Sequence, residues 1–169
     1  MFDKTQHSQN SSLRENIIEH QFIGAALRVL WSHGIVDAEI LRSEFDGYGY
    51  DLVLSRGHVV RHIQLKSGLR LKNISISSTL MDRPSGCVIF VEVDDDLEVK
   101  RYHFFGGTAG SALPDISSLK TTHRLGRNKS GERPLRVMHR DLPKSKFQAV
   151  ASLTDLLELL FGHKPEFAT

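Results

Sequence analysis

Apolar residues recur at helical spacing in two segments of the chain, one near each end. The apolar residues of the first segment are Leu13, Ile17, Ile23, Leu27, Leu30 and Trp31. Ser12 and Glu15 precede most of them at the spacing of a capping box, which begins a helix, and Gly34 provides a stop signal. The second segment starts at Ser152 and ends at Gly162. We therefore predict one helix from about residue 11 and another close to the C-terminal end.

Short apolar or alternating runs between the two helices predict strands. The predicted strands cover residues 38–41, 51–54, 59–66, 87–93 and 97–104. The second and third of these runs flank a glycine-containing turn and are predicted to form a β-hairpin. The last two are predicted to pair in the same antiparallel way. From residue 106 to about residue 146 the periodicity is weak, and no element is predicted there.

Helices at both ends and strands between them predict an α/β fold, in which a central mixed β-sheet is flanked by helices. The 169 residues, of which 40% are hydrophobic, are enough for one core. We expect a frayed N-terminus over residues 1–10 and a single domain over residues 11–169. Neither a signal peptide nor an apolar run of roughly 20 residues is recognisable, so we expect a cytoplasmic protein without a membrane partner. Cys87, the one cysteine, lies in an apolar run and is predicted to be a buried structural thiol.

Basic residues are concentrated in one part of the chain, although the net charge is only +2. Between residues 121 and 146 they are Arg124, Arg127, Lys129, Arg133, Arg136, Arg140, Lys144 and Lys146. This cluster predicts a surface that contacts nucleic-acid phosphates. Arg70 and Lys72, which follow the predicted hairpin, are further candidates. For both groups the alternative is a solvated loop whose charges serve solubility.

Polar residues occupy one face of the predicted strand 59–66. Side chains alternate across a strand, so Gln64 and Lys66 share this face, while the intervening apolar residues point to the core. Pairing across the hairpin brings Asp51 opposite His62 or Gln64, and either register places its carboxylate within roughly 5–8 Å of Gln64. A carboxylate, an amide oxygen and backbone carbonyls form a set of hard oxygen ligands that suits Mg²⁺. His62 on the same face is predicted to be a partly buried, hydrogen-bonded histidine.

In these residues the chain resembles the PD-(D/E)XK nuclease superfamily. The signature of that superfamily is a helix carrying a Glu, then an Asp at the start of a strand, then an acidic residue, any residue and a Lys on the paired strand. Glu19, Asp51 and the run Gln64-Leu65-Lys66 occupy these places in this order. Gln64 departs from the pattern because it replaces the usual Asp or Glu.

The resemblance implies a restriction-endonuclease-like core and a metal-dependent endonuclease that acts on DNA in restriction, repair or defence against mobile elements. Asp51, Gln64 and the backbone carbonyl of Leu65 would bind Mg²⁺, with Mn²⁺ as a substitute and Glu19 as a further ligand. Lys66 would position the attacking water and stabilise charge on the phosphate. The resemblance is also compatible with a homodimer.

Three alternatives stay open at this point. Glu15 competes with Glu19 as the helix glutamate, although Glu19 lies closer to the edge of the predicted apolar stripe and Glu15 belongs to the capping box. The missing charge at Gln64 is equally expected of a catalytically weakened nuclease-fold module that binds nucleic acid or a protein partner. An interaction protein that binds no nucleic acid would require the basic segment to be inert.

Overall fold

The computed structural model describes residues 10–45 and 47–162 of the chain. The frayed terminus predicted for residues 1–10 therefore lies outside the described residues, except for residue 10. Within these residues the helices are α1, Ser11–Ser32, and α2, Leu153–Phe161. The strands of this described part, β1 to β9 in chain order, are Ala38–Arg42, Leu52–Arg56, Val59–Gly68, Ile74–Ser77, Cys87–Val93, Val99–Gly106, Thr121–His123, Leu135–Leu142 and Gln148–Val150. Two short 3₁₀ turns cover Ser78–Asp82 and Lys144–Lys146.

Six strands form a mixed sheet in the order β1-β2-β3-β5-β6-β9, in which β3 and β5 are parallel and the other neighbours are antiparallel. Helices α1 and α2 pack together with one face of this sheet around a single aliphatic and aromatic core. The predicted α/β fold with a central mixed sheet is confirmed. None of the described helices is both long and apolar enough to cross a membrane.

The other face of the large sheet is covered by a second sheet rather than by a helix. This small sheet has the order β4-β8-β7, and a separate apolar core lies between the two sheets. The sequence did not predict β4, β7 or β8, because β4 is only four residues long and β8 shows no alternation between exposed and buried side chains. Strand β4 pairs with β8, which lies far along the chain, and β7 has only three residues, so neither leaves a periodic signal in the sequence.

Helix α1 forms where it was predicted, but its buried face is not the predicted one. The buried residues are Ile18, Phe22, Ala26 and Leu30. Of the predicted stripe only Leu30 is buried and Ile23 partly so, while Trp31 is 74% exposed. The predicted stripe was therefore largely wrong. The helix carries apolar side chains on two opposite faces, and periodicity alone does not say which face meets the sheet.

The helix ends confirm two stop signals and correct one start signal. Gly34 and Gly162 both adopt positive φ angles, of +69° and +78°, directly after the helices. Ser152 caps α2, because its hydroxyl accepts a hydrogen bond from the N–H of Asp155 at 3.1 Å. The predicted capping box at Ser12 is wrong: the residue before the helix is Asn10, and Ser12 lies inside the first turn of α1.

The predicted hairpin is confirmed as β2 and β3, joined by a two-residue turn in which Gly57 has a φ of +59°. Leu52 pairs with Ile63, so the residue before Leu52 lies beside the residue after Ile63. Of the two registers left open by the sequence, the structure therefore adopts the one that places Asp51 next to Gln64.

Candidate active site at the end of strand β3

A polar cavity of about 320 Å³ lies where the first turns of α1 pass over the start of β2 and the end of β3. Its lining residues are Ser12, Glu15, Asn16, Ile18, Glu19, Asp51, Leu65, Lys66 and Ser67. Four of the residues predicted to form the site, namely Glu19, Asp51, Leu65 and Lys66, are thus brought together although they come from three separate elements. The site forms at this place because the hairpin register and the packing of α1 converge on the same end of the sheet.

Asp51 directly precedes β2 and is hydrogen-bonded to the neighbouring end of β3. Its Oδ2 atom accepts a hydrogen bond from the N–H of Leu65 at 2.7 Å. Its own N–H donates to the carbonyl of Ile63, and its carbonyl accepts from the N–H of Ser43, both at 2.8 Å. The backbone of Asp51 is therefore held from both sides, and its carboxylate is tied to β3 by a hydrogen bond to a charged acceptor.

Gln64 lies beside the cavity but does not line it. Its side chain is 5% exposed, and its Oε1 atom is buried without a hydrogen bond from any described residue. A buried amide oxygen without a partner costs about 1–3 kcal/mol, so this atom retains the capacity to accept a hydrogen bond or to bind a cation. The neighbour of Gln64 across the hairpin is Asp51, the residue directly before β2.

Both candidate glutamates of α1 line the cavity. Glu19 is mostly buried, and its carboxylate forms an ion pair with the guanidinium of Arg42, which ends the edge strand β1. Glu15 is exposed. The ion pair holds Glu19 at the cavity wall, and a metal ion would compete with Arg42 for this carboxylate.

The donor set suits a hard divalent cation, although it is not rich in carboxylates. The described residues contain no group of three or more His, Cys, Asp or Glu side chains that could hold a metal ion. The ligands that the sequence predicted are one or two carboxylates, an amide oxygen and a backbone carbonyl, which together with water satisfy the preference of Mg²⁺ for oxygen. The unpartnered oxygen of Gln64 is the observation that fits such an ion.

The loop before Asp51 is packed tightly against the small sheet. Gly49 has a φ of +78°, and a Cβ atom at this position would lie 2.8 Å from side-chain atoms of both Ser77 and Thr79. The ring of Tyr50 stacks edge-on against His62, whose Nδ1 donates to the carbonyl of Pro84 at 2.8 Å. His62 is therefore the partly buried, hydrogen-bonded histidine that was predicted, and these contacts fix the approach of the chain to Asp51.

The predicted phosphate-contacting residues lie outside the cavity. Arg70 and Lys72 are exposed in the connection between β3 and β4. The other four predicted contacts, Arg124, Arg127, Lys129 and Arg133, are exposed in the loop that joins β7 to β8. That loop is connected to the site through the small sheet, because Ser77, which packs on Gly49, pairs with His139 of β8.

A larger cleft, of about 830 Å³, lies at the opposite end of β3, between β6, β9 and α2. Behind it Arg61 is fully buried, and its guanidinium donates to the carbonyls of Gly107, Leu159 and Leu160 at 2.9–3.0 Å. Cys87 is buried as predicted, and burial raises its pKa to about 12, against a smaller lowering by Arg61. This thiol therefore stays protonated at neutral pH and is no nucleophile.

Arg42 and Arg61 were missed by sequence reasoning. Arg42 could have been found only by pairing β1 with β2, since this pairing brings its strand end beside Asp51. For Arg61 the sequence gives no signal, because an arginine in an alternating strand looks exposed until the carbonyls of α2 are placed over it.

Comparisons with protein-family models, with curated proteins and with solved structures find no match for this chain.

Proposed function

We propose that this protein is a Mg²⁺-dependent endonuclease that hydrolyses phosphodiester bonds of DNA. One observation carries the proposal: the Asp51 carboxylate, bound by the N–H of Leu65, lines a cavity together with Lys66, and the adjacent residue of β3, Gln64, has a buried oxygen without a partner among the described residues. Fixed oxygen ligands next to a lysine are what phosphodiester hydrolysis requires, because the attacking water must be activated and the developing negative charge must be neutralised.

Asp51, Gln64, the carbonyl of Leu65 and Glu19 would hold the ion, which when bound lowers the pKa of water and neutralises phosphate charge. The ammonium group of Lys66 would donate hydrogen bonds to the attacking water and to a phosphoryl oxygen. The attacking water would add to phosphorus as the bond to the leaving oxygen breaks; the proton that the water loses would pass to solvent, and the leaving oxygen would take up a proton from solvent. The rigid placement of Asp51 keeps the ligands and the lysine aligned before substrate arrives.

The proposal is tested by incubating the protein with plasmid DNA in Mg²⁺ or Mn²⁺. Lys66→Ala is expected to lower the cleavage rate by about 10²–10³-fold, because one group that stabilises the transition state is lost. Lys100→Ala is the matched control: it removes the same charge at an exposed position whose ion pair with Asp94 contributes little. No cleavage by the wild type, or equal cleavage by wild type and Lys66→Ala, would contradict the proposal.

A second candidate is a nuclease-fold module that binds nucleic acid or a protein without cleavage. It is favoured by two features, the amide at position 64 and the ion pair that already engages Glu19 with Arg42. Titration calorimetry with Mg²⁺ and Mn²⁺ separates the two candidates. The nuclease requires saturable binding that Asp51→Asn abolishes, whereas the module requires none.

A further inference from the structure

Residues 121–142 form an arm that consists of β7, a connecting loop and β8. The loop closes in an ordered turn, in which Asn128 pairs with Glu132 through the backbone and its Oδ1 accepts from the N–H of Glu132 at 2.9 Å. The arm is therefore joined to β4 at its base, is two-stranded where β7 pairs with the start of β8, and has a structured tip. It carries six basic residues, Arg124, Arg127, Lys129, Arg133, Arg136 and Arg140, against Glu132 and Asp141.

The basic residues of the arm fall into two groups. Arg127 and Arg140 are engaged with backbone carbonyls of the arm itself, and Arg136 contacts His139. In contrast, the side chains of Arg124, Lys129 and Arg133 are exposed and make no hydrogen bond or ion pair with any residue that the structure describes. The first group shapes the arm, and the second group is free to contact phosphates.

Large apolar side chains are exposed on the same arm. Leu125 is 91% exposed, and Leu135, Val137 and Met138 are all more than half exposed. Exposure of four large apolar side chains to water is energetically unfavourable and does not improve solubility. Their presence between arginines therefore favours a binding surface over the solvated loop that the sequence left open.

The composition of this surface discriminates between single-stranded and double-stranded partners. Proteins that bind single strands stack the bases on aromatic rings, and residues 121–142 contain no Phe, Tyr or Trp. Arginine, lysine and asparagine next to Leu, Val and Met are typical of proteins that insert apolar groups into the grooves of a duplex. B-form grooves admit a two-stranded ribbon or an inserted side chain, whereas the major groove of duplex RNA is too deep and narrow.

We propose that the arm binds duplex DNA, with Arg124, Lys129 and Arg133 on the phosphates and Leu125 inserted into a groove. This inference rests on the proposed function in naming DNA as the partner, and it specifies a double-stranded substrate. The arm joins the loop before Asp51 through β8 and Ser77, so a duplex held by the arm is anchored to the element that carries the site.

Fluorescence anisotropy in EDTA measures binding without cleavage, using a labelled duplex and a single strand of the same sequence. The wild type is expected to bind the duplex at least tenfold more tightly. Arg124→Ala combined with Arg133→Ala should weaken duplex binding at least tenfold and reduce the slope of log K against log salt by about 2, since two phosphate contacts are lost. Leu125→Ser should weaken it at least fivefold without changing the slope, because an apolar contact releases no counterions.

Two controls keep the outcomes distinct. Leu13→Ser changes an exposed leucine of α1 and Lys100→Ala an exposed lysine of β6, and both should bind as the wild type does. Equal affinity for the single strand, tighter binding to duplex RNA, or arm variants that bind like the wild type would overturn the inference. Cleavage with unaltered binding by the arm variants defeats only this inference, whereas duplex binding through the arm without any cleavage defeats only the proposed nuclease.

Discussion

The two cavities at opposite ends of strand β3 differ in size and in chemistry. The larger cleft is lined mainly by apolar side chains and glycines, and the charged group behind it, Arg61, is held by three backbone carbonyls. The smaller cavity collects Asp51, Lys66 and two glutamates, and the buried oxygen of Gln64 beside it has no partner. Arg61 is thus used mainly for packing, although its Nη1 atom also lacks a partner among the described residues, whereas no described residue hydrogen-bonds the oxygen of Gln64.

The larger of two cavities is therefore not necessarily the better candidate for a functional site. The carbonyls that Arg61 binds include the last ones of α2, which a helix leaves without partners, so this arginine has a structural role. Gln64 has no such role in the described part of the chain, and its orphaned oxygen destabilises the fold. Destabilising polar groups that persist in a core are expected at functional sites.

The largest expected difference between the two ends concerns catalysis. Asp51→Asn should lower DNA cleavage by about 10³-fold, or roughly 4 kcal/mol, because it removes the negative charge of the carboxylate from a site that has few other charged ligands. Glu158→Gln makes the same change at a partly buried carboxylate of the larger cleft and should leave the cleavage rate within about twofold of the wild type. Equal losses in the two variants, measured by plasmid cleavage, would show that the two ends do not differ.

For the stability of the fold we expect the opposite order: a substitution behind the larger cleft should have the large effect. Arg61→Met keeps the apolar stem but removes the donors to Gly107, Leu159 and Leu160, so the free energy of unfolding should fall by about 3 kcal/mol. Urea denaturation measures this change, with the exposed Arg101→Met as control. A loss below about 1 kcal/mol would mean that the carbonyls find other partners and that Arg61 is not structural.

The loop before the site should tolerate no side chain at Gly49. Gly49→Ala combines a positive φ with a Cβ contact at 2.8 Å, and it should lower the free energy of unfolding by about 2–3 kcal/mol. Gly34→Ala has a similar φ but open space around the Cβ, so it should cost only about 1 kcal/mol. The same small loss for both variants, in thermal or urea unfolding, would refute tight packing behind Asp51.

The smallest expected effect is an increase in the free energy of unfolding, whereas most substitutions in a core lower it. Gln64→Leu removes a buried oxygen without a partner, so it should raise the free energy of unfolding by about 1 kcal/mol while it abolishes metal binding. Gln64→Glu should do the reverse, with tighter Mn²⁺ binding in calorimetry and lower stability without metal. A destabilised Gln64→Leu protein would indicate that the amide is part of the packing and not a spare ligand.

The sequence predicted those parts of the fold that depend on local pattern. The extents of α1 and α2, the hairpin of β2 and β3, and strand β5 follow from periodicity and turn residues. The buried face of α1 was predicted wrongly because Leu13 and Ile18 begin apolar rows on opposite faces, and only packing against the sheet chooses between them. The small sheet was missed because β4 pairs with a strand far along the chain and β7 has only three residues.

The candidate site was predictable in part for the same reason. Asp51 and Lys66 belong to one hairpin, so their proximity follows from a short turn. The arrival of Glu15 and Glu19 at that hairpin depends on tertiary packing, and so does the ion pair of Glu19 with Arg42. Burial of the Gln64 amide depends on the second sheet, and local sequence periodicity did not predict that sheet.

The most direct test of the proposed metal site is the anomalous diffraction of crystals soaked in Mn²⁺. We expect one strong peak within about 2.5 Å of the Asp51 carboxylate and the Leu65 carbonyl, with the amide of Gln64 turned toward it. The peak should be absent in crystals of Asp51→Asn. A wild-type crystal with no peak in the cavity, or with Mn²⁺ bound elsewhere and Gln64 unmoved, would contradict the assignment of these residues to a metal-dependent active site.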